Sequence, residues 1–244
     1  MKKIMGIACL AFSLQTFAQQ TNLCLQEVLD CQSIMMAGDD SLMLTKNIYL
    51  SYTVKVTDWD DESTISNVKF HKQGNESRFF SEQVNMYTNE KEMLVEMPGQ
   101  RIIAVNNALS GERKNGGYVS EEVRKDFLDS CEVVRCEATG KTTKILVLKV
   151  KAKQKQKGIL ITEMRYEYDT ELKKIVSVKT YYDPDYKLKT MQVLYREYNT
   201  ESTYKFSSFK NQFFDKKGEL TEKYKDYELV DSRDKKSPKS KSRR

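Results

Sequence analysis

The chain of 244 residues contains one histidine, His71, and that scarcity removes whole classes of chemistry. Ser–His catalysis and His-ligated metal centres have a single imidazole to draw on. It lies on a strand-like run beside Lys69 and Lys72, where exposure to solvent is the expected state. A Gly-rich phosphate loop is missing, because Gly116-Gly117 lacks the Lys-Ser/Thr that should follow. The spacings Cys24-x6-Cys31 and Cys131-x4-Cys136 fit a thiolate zinc site poorly. Beyond the N-terminus no apolar run reaches the ~20 residues of a membrane-spanning helix. No enzyme activity, cofactor or metal is therefore expected.

The net charge of +6 misleads until its charges are located. Two of the 41 basic residues lie in residues 1–18 and seven in 233–244, which leaves 32 bases against 34 acids over 19–232, a net of −2. The body is slightly acidic, and nucleic acid is excluded as the default partner. With a mean hydropathy of −0.66 and 31% charged residues, the chain reads as soluble and globular.

Met1-Lys2-Lys3, the apolar run Ile4–Phe12 and Thr16-Phe17-Ala18 make the pattern of a signal peptide over 1–18. Acylation at Cys9 is the rival reading, disfavoured by Gly6 and by the apolar run continuing past Cys9. An exported chain with Cys24, Cys31, Cys131 and Cys136 remaining points to disulfides. Cys24 and Cys31 on one helix would stand ~10 Å apart, too far for a bond. Either the helix breaks there, or both bonds run from the N-terminal segment to the 131–136 segment, which is the favoured pairing.

Leu25, Val28, Leu29, Ile34 and Met35 recur at helical spacing over 23–36. From Leu50 the period becomes two, with Leu50, Tyr52, Val54 and Val56 on one side. Strand-like runs follow at 65–71, 78–80, 83–87, 93–96 and 101–105, separated by Gln73-Gly74-Asn75, Asn89-Glu90 and Met97-Pro98-Gly99. Their close spacing predicts antiparallel hairpins. Ser120 caps a mid-chain helix carrying Val123, Phe127 and Leu128. Longer strands are expected at 145–150, 160–168, 172–182 and 191–198, with 204–209 and 224–230 closing the series. Residues 232–244 hold no apolar side chain and read as a basic disordered tail, so 19–231 is taken as one domain.

This order of elements resembles the periplasmic outer-membrane lipoprotein carriers (LolA/LolB-like) over roughly 24–200. The resemblance rests on 47–57, 68–80, 87–95 and 100–105, with the hairpin Gly74-Asn75-Glu76-Ser77-Arg78 and the stretch Pro98-Gly99-Gln100-Arg101-Ile102, and on 145–150, 160–168 and 175–182. It implies an α+β, mostly antiparallel, open half-barrel with an N-terminal and a mid-chain helix packed on it. It also implies an apolar cavity for lipid chains. The candidate lining is Leu50, Tyr52, Val54, Val56, Val68, Phe70, Leu160, Met164 and Tyr166, with Leu29 or Met36 as lid contacts. The same residues can instead pack on one another. The cavity arginine of the family has no matching position.

Two charged features complete the reading. Lys149, Lys151, Lys153, Lys155 and Lys157 would form a comb toward anionic headgroups if the strand stays extended, or else guard a sheet edge. Asp58, Asp60, Asp61 and Glu62 beside Trp59 could bind calcium or act as paired carboxylates, although a charged loop at a strand end is the commoner explanation. The expected protein is an exported, non-catalytic component of a Gram-negative-type envelope, in the periplasm or on the periplasmic face of the outer membrane. Its expected partner is a lipid, an acyl chain or a lipidated protein; the alternative is a structural or interaction subunit of an outer-membrane protein complex.

Overall fold

The computed structural model describes residues 23–32, 47–108, 128–152 and 160–233. The signal peptide, Ile34–Met36 of the first helix, most of the mid-chain helix, Lys153, Lys155, Lys157 and the basic stretch 234–244 lie outside the described residues.

A helix over 23–32 (α1) is followed by β1 (Asn47–Thr57), β2 (Ser63–Gln73), β3 (Glu76–Phe80), β4 (Asn85–Thr88), β5 (Glu92–Met97) and β6 (Ile102–Asn107). After these come β7 (Cys131–Ala138), β8 (Thr143–Val150), β9 (Ile161–Asp169), β10 (Lys174–Tyr182), β11 (Thr190–Asn199), the one-turn helix α2 (Lys210–Phe213) and β12 (Glu228–Asp231). The twelve strands form one sheet in the order β12-β6-β5-β4-β3-β2-β1-β11-β10-β9-β8-β7. That order is linear, so the sheet is open. The pairs from β2 to β6 and from β7 to β11 are antiparallel, and β12 lies parallel to β6. The antiparallel succession of strands is the one the spacing predicts, and the unclosed sheet is the one the resemblance implies.

Contacts group the chain into two compact units. The first comprises Leu50–Val68 and Val119–Asn199 with the N-terminal segment. Its core sets Cys24, Val28 and Cys31 of α1 against Leu146, Leu148 and Val150 of β8, Tyr166 and Tyr168 of β9 and Ile175 of β10. Glu27 fixes the helix on the sheet by accepting from Lys144 Nζ at 2.7 Å and from Tyr168 Oη at 2.7 Å.

Cys24 is bonded to Cys136, whereas Cys31 and Cys131 are buried free thiols, so the expected second bond is absent. The register gives the reason. Cys136 faces Leu146, and Glu27 sits one rung further along, at Lys144 and Tyr168. The helix therefore runs toward the Thr143 end of β8, while Cys131 faces Val150 at the other end. Each residue along α1 carries Cys31 further from Cys131.

The second unit comprises Lys46–Tyr49, Lys69–Tyr118 and Thr200–Arg244. One face of its sheet carries Tyr87, Leu94, Ile103 and Val105, covered by Phe209, Phe213 and Tyr224. The expected strand over 204–209 is an irregular strap instead, because Phe209 and Phe213 are four residues apart and bury together through the turn of α2. In place of a strand over 224–230 stand a 3-10 turn, Glu222–Tyr224, and the short β12. Gly74, at φ 56°, makes the expected β2–β3 hairpin turn.

Candidate functional site

In the first unit, much of the expected cavity lining is spent on the core. Tyr166 is buried in it, and Leu50 and Met164 pack against it. Tyr52 faces Tyr195 with ring centroids 6.0 Å apart, and burial raises the pKa of both phenols. Val54 and Val56 are half-buried on β1, Val68 is buried on β2, and Leu160 is exposed just before β9.

The lysine comb does not extend as drawn. β8 ends at Val150, and Lys151, already outside the strand, donates from Nζ to the Asp129 carbonyl at 2.8 Å. Lys149 remains exposed on the strand. In the β1–β2 loop, Asp58 Oδ1 accepts from the amides of Asp60 and Glu62, Lys189 Nζ reaches Asp61 at 2.5 Å, and Trp59 Nε1 donates to the Tyr186 carbonyl at 2.6 Å. The acids there build the turn. Among the described residues no group of three or more His, Cys, Asp or Glu could hold a metal.

The second unit buries charged side chains. In β5 the alternation sets Glu92, Leu94 and Glu96 on the covered face. Glu92, 4% exposed, accepts from Lys210 Nζ at 2.8 Å and from Arg233 Nη1 at 2.9 Å, and Glu96 accepts from Asn85 Nδ2 at 3.0 Å. Buried carboxylates persist because each is paired or hydrogen-bonded. Arg78 is buried beside them. It donates to Tyr204 Oη at 3.1 Å and to the Ser207 carbonyl, with its guanidinium 4.7 Å from the Phe206 ring centre and 5.6 Å from that of Tyr87. These bonds hold the strap.

His71 belongs to the same face and does not look into solvent. Its ring lies 4.7 Å from that of Tyr49 and 4.2 Å from that of Tyr204, and Nδ1 is buried with no hydrogen-bond partner among the described residues. Burial lowers its pKa below the ordinary histidine value, helped by the charges of Arg78 and Lys69.

The opposite face of this unit carries the feature with the clearest functional potential. Direct register partners join Phe70 to Phe79, Phe79 to Met86, Met86 to Val95, Val95 to Ala104 and Ala104 to Val230. One apolar row thus crosses six strands, β2-β3-β4-β5-β6-β12. At about 4.8 Å per strand it is about 24 Å long. Met97 and Ile102 widen it on one side, whereas Lys72, Ser77, Thr88 and Asn106, interrupted by Met93, border it on the other. Phe70, Phe79, Met86, Val95 and Ala104 are half-buried, Val230 is 38% exposed, and none belongs to either hydrophobic core. Phe70 alone among its members is a site candidate from sequence. The rest need the register, because each short strand contributes one residue.

Two polar clefts flank the covered face of the same unit. One of about 600 Å³ is lined by Asn75, Glu76, Glu90 and Lys91. Another of about 510 Å³ is lined by Lys210, Lys216, Lys217, Asp231 and Arg233 over Leu94 and Val105.

No known protein family matches the sequence, and no curated protein matches it. Solved structures to which the fold is similar include an uncharacterised conserved protein from Thermus thermophilus (9% identity, TM-score 0.40, 85% of this chain and 98% of that one). They also include a LolA superfamily protein from Nitrosomonas europaea (10% identity, TM-score 0.30, 80% and 98%). A candidate outer membrane lipoprotein-sorting protein domain from Vibrio parahaemolyticus is similar at 11% identity and a TM-score of 0.31, over 75% and 96%.

Proposed function

We propose that this is an exported, non-catalytic envelope protein that binds a lipid acyl chain on the Phe70–Val230 row, either as free lipid or on a lipidated partner. The observation that carries the reading is that row: six register-paired apolar side chains, outside both cores, reaching an open sheet edge. A single acyl chain spans about half of a ~30 Å hydrocarbon core, so about 24 Å of apolar row accommodates one at full length. Binding there needs only apolar contact, which suits a face without a reactive constellation.

Titration of the delipidated full chain with a fluorescent fatty acid tests this. Saturable binding is expected, weakened at least about tenfold by Phe79→Asp or Val95→Asp, since a carboxylate in an apolar contact costs well over 1.4 kcal/mol. Absence of binding by the parent chain, with its fold checked by circular dichroism, would refute it. The subunit reading keeps one observation of its own: Leu229 and Val230 stand exposed on β12, which pairs with β6 on one side and among the described residues has no strand on the other, the geometry that a partner strand extends. Native co-purification with a protein and no lipid would favour it.

A further inference from the structure

We infer that the cleft of about 510 Å³ on the covered face is a binding site for a small amphiphilic organic anion, an apolar body carrying one acidic group. It is independent of the acyl-chain row, which lies on the opposite face of the same strands. Its volume falls within the ~300–1,000 Å³ of small-molecule sites, and every residue lining it belongs to the second unit. Apolar contact comes from Phe214, half-buried, and Leu229, 39% exposed, above a floor of Leu94, Val105 and Phe209. The register of β12 explains Leu229. It pairs with Ile103 and stands on the covered face, whereas its neighbour Val230 stands on the row.

The cations arrive in two pairs. Lys210 and Arg233 are set at the wall by buried Glu92, whose two oxygens accept one bond from each, at 2.8 Å and 2.9 Å. Lys216 and Lys217 stand exposed on the turn that joins the bridged residues Phe214 and Leu220. Asp215 Oδ1 builds that turn by accepting from the amides of Lys217 at 2.8 Å and Glu219 at 3.0 Å, and Gly218, at φ 84°, completes it. Lys210, Lys216, Lys217 and Arg233 thus face Glu92, Asp215 and Asp231, four cations against three acids and a net of +1. All three acids are engaged: Glu92 by Lys210 and Arg233, Asp231 by Arg233, and Asp215 by its turn. The ammonium groups of Lys216 and Lys217 make no ion pair among the described residues, and as neighbours on one turn they repel. An acidic group between them relieves that repulsion and accepts charge-assisted N–H bonds, while its apolar body covers Leu229 and Phe214.

The fluorescent sulfonate 8-anilinonaphthalene-1-sulfonate is a probe of this class, and N-phenyl-1-naphthylamine is its uncharged counterpart. In titrations of the full chain, with circular dichroism as the fold check, the sulfonate should bind saturably at low salt and more weakly at high salt. Lys216→Gln/Lys217→Gln, at exposed turn positions, should weaken the sulfonate at least about tenfold and change any binding of the uncharged probe less than about twofold. Lys216→Arg/Lys217→Arg should retain the sulfonate, because the charge stays. Leu229→Asp should weaken it, and Val95→Asp, on the opposite face, should leave it within about twofold. Unchanged sulfonate affinity in the double Gln variant, or a loss in Val95→Asp instead, places the probe elsewhere and overturns the inference. Absence of saturable sulfonate binding by the folded parent also overturns it, and binding of the fluorescent fatty acid by that same protein keeps the acyl-chain reading standing.

Discussion

Removing the Cys24–Cys136 bond should be the most damaging two-atom change available to this chain. The bond closes a loop of 112 residues and joins α1 to β7, an edge strand whose one strand neighbour among the described residues is β8. In the chain-entropy description, a loop of this length constrains the unfolded state by about 4.8 kcal/mol. Once the tether is cut, the described turns of α1 depend on Val28, Cys31 and the Glu27 bonds. The Cys24→Ser/Cys136→Ser double variant should therefore lose several kcal/mol in guanidinium denaturation. Cys31 supplies a second, local readout. Burial first, then Asp30, Glu27 and Asp169, push its thiol up to about 11, so in the intact protein it should resist alkylation near pH 8. In the double variant, faster alkylation of Cys31 than of Cys131 would report lifting of the helix alone. A loss below about 1 kcal/mol, with Cys31 still protected, would show that the tether constrains nothing the core does not already hold.

Two further perturbations test the second unit. His71 is held neutral, its pKa lowered by burial and by Arg78 and Lys69, so the unfolded chain takes up the proton more readily. Its contribution is present in full above about pH 6.5 and is lost as pH falls below that value, and denaturation at pH 5 and 8 should show a slope that His71→Phe flattens; an unchanged slope would refute the assignment. Glu92→Ala removes the shared acceptor of Lys210 and Arg233 and should destabilise by about 1–2 kcal/mol, more than Arg233→Ala at under about 1 kcal/mol, because both cations remain half-exposed. Equal losses in thermal or denaturant melts would contradict the view that Glu92 is the buried partner.

Residues with strong local signals are legible. Alternation in 50–56, the continuous apolar run 145–150 and the turn at Gly74 predict real strands, and helical spacing predicts α1. β7 leaves no such trace, because an edge strand with a register shift between Val133 and Arg135 shows Glu132, Val134 and Arg135 to solvent and loses its alternation. The burial of Glu92 and Glu96 is not legible in the sequence, since nothing local announces that Lys210, Arg233 and Asn85 arrive to pair with them. The strap over 204–209 reads as a strand for the same reason. Its order comes from Arg78, more than 120 residues earlier. The apolar row is invisible without register, because Phe79, Met86, Val95 and Ala104 are each single residues in their own segments.

The parallel pairing of β12 with β6 also bears on how the chain reaches its fold. A chain that emerges from its N-terminus displays Leu94, Ile103 and Val105 long before Phe209, Phe213 and Tyr224 exist to cover them. The second unit therefore has no local route to completion: its last strand closes over a separation of more than 120 residues, and non-local closure of that kind is slow. Until then β6 is a bare edge beside an uncovered apolar face, a template for pairing with other chains. Sensitivity to truncation between Thr200 and β12 follows from the position of three residues, Phe209, Phe213 and Tyr224.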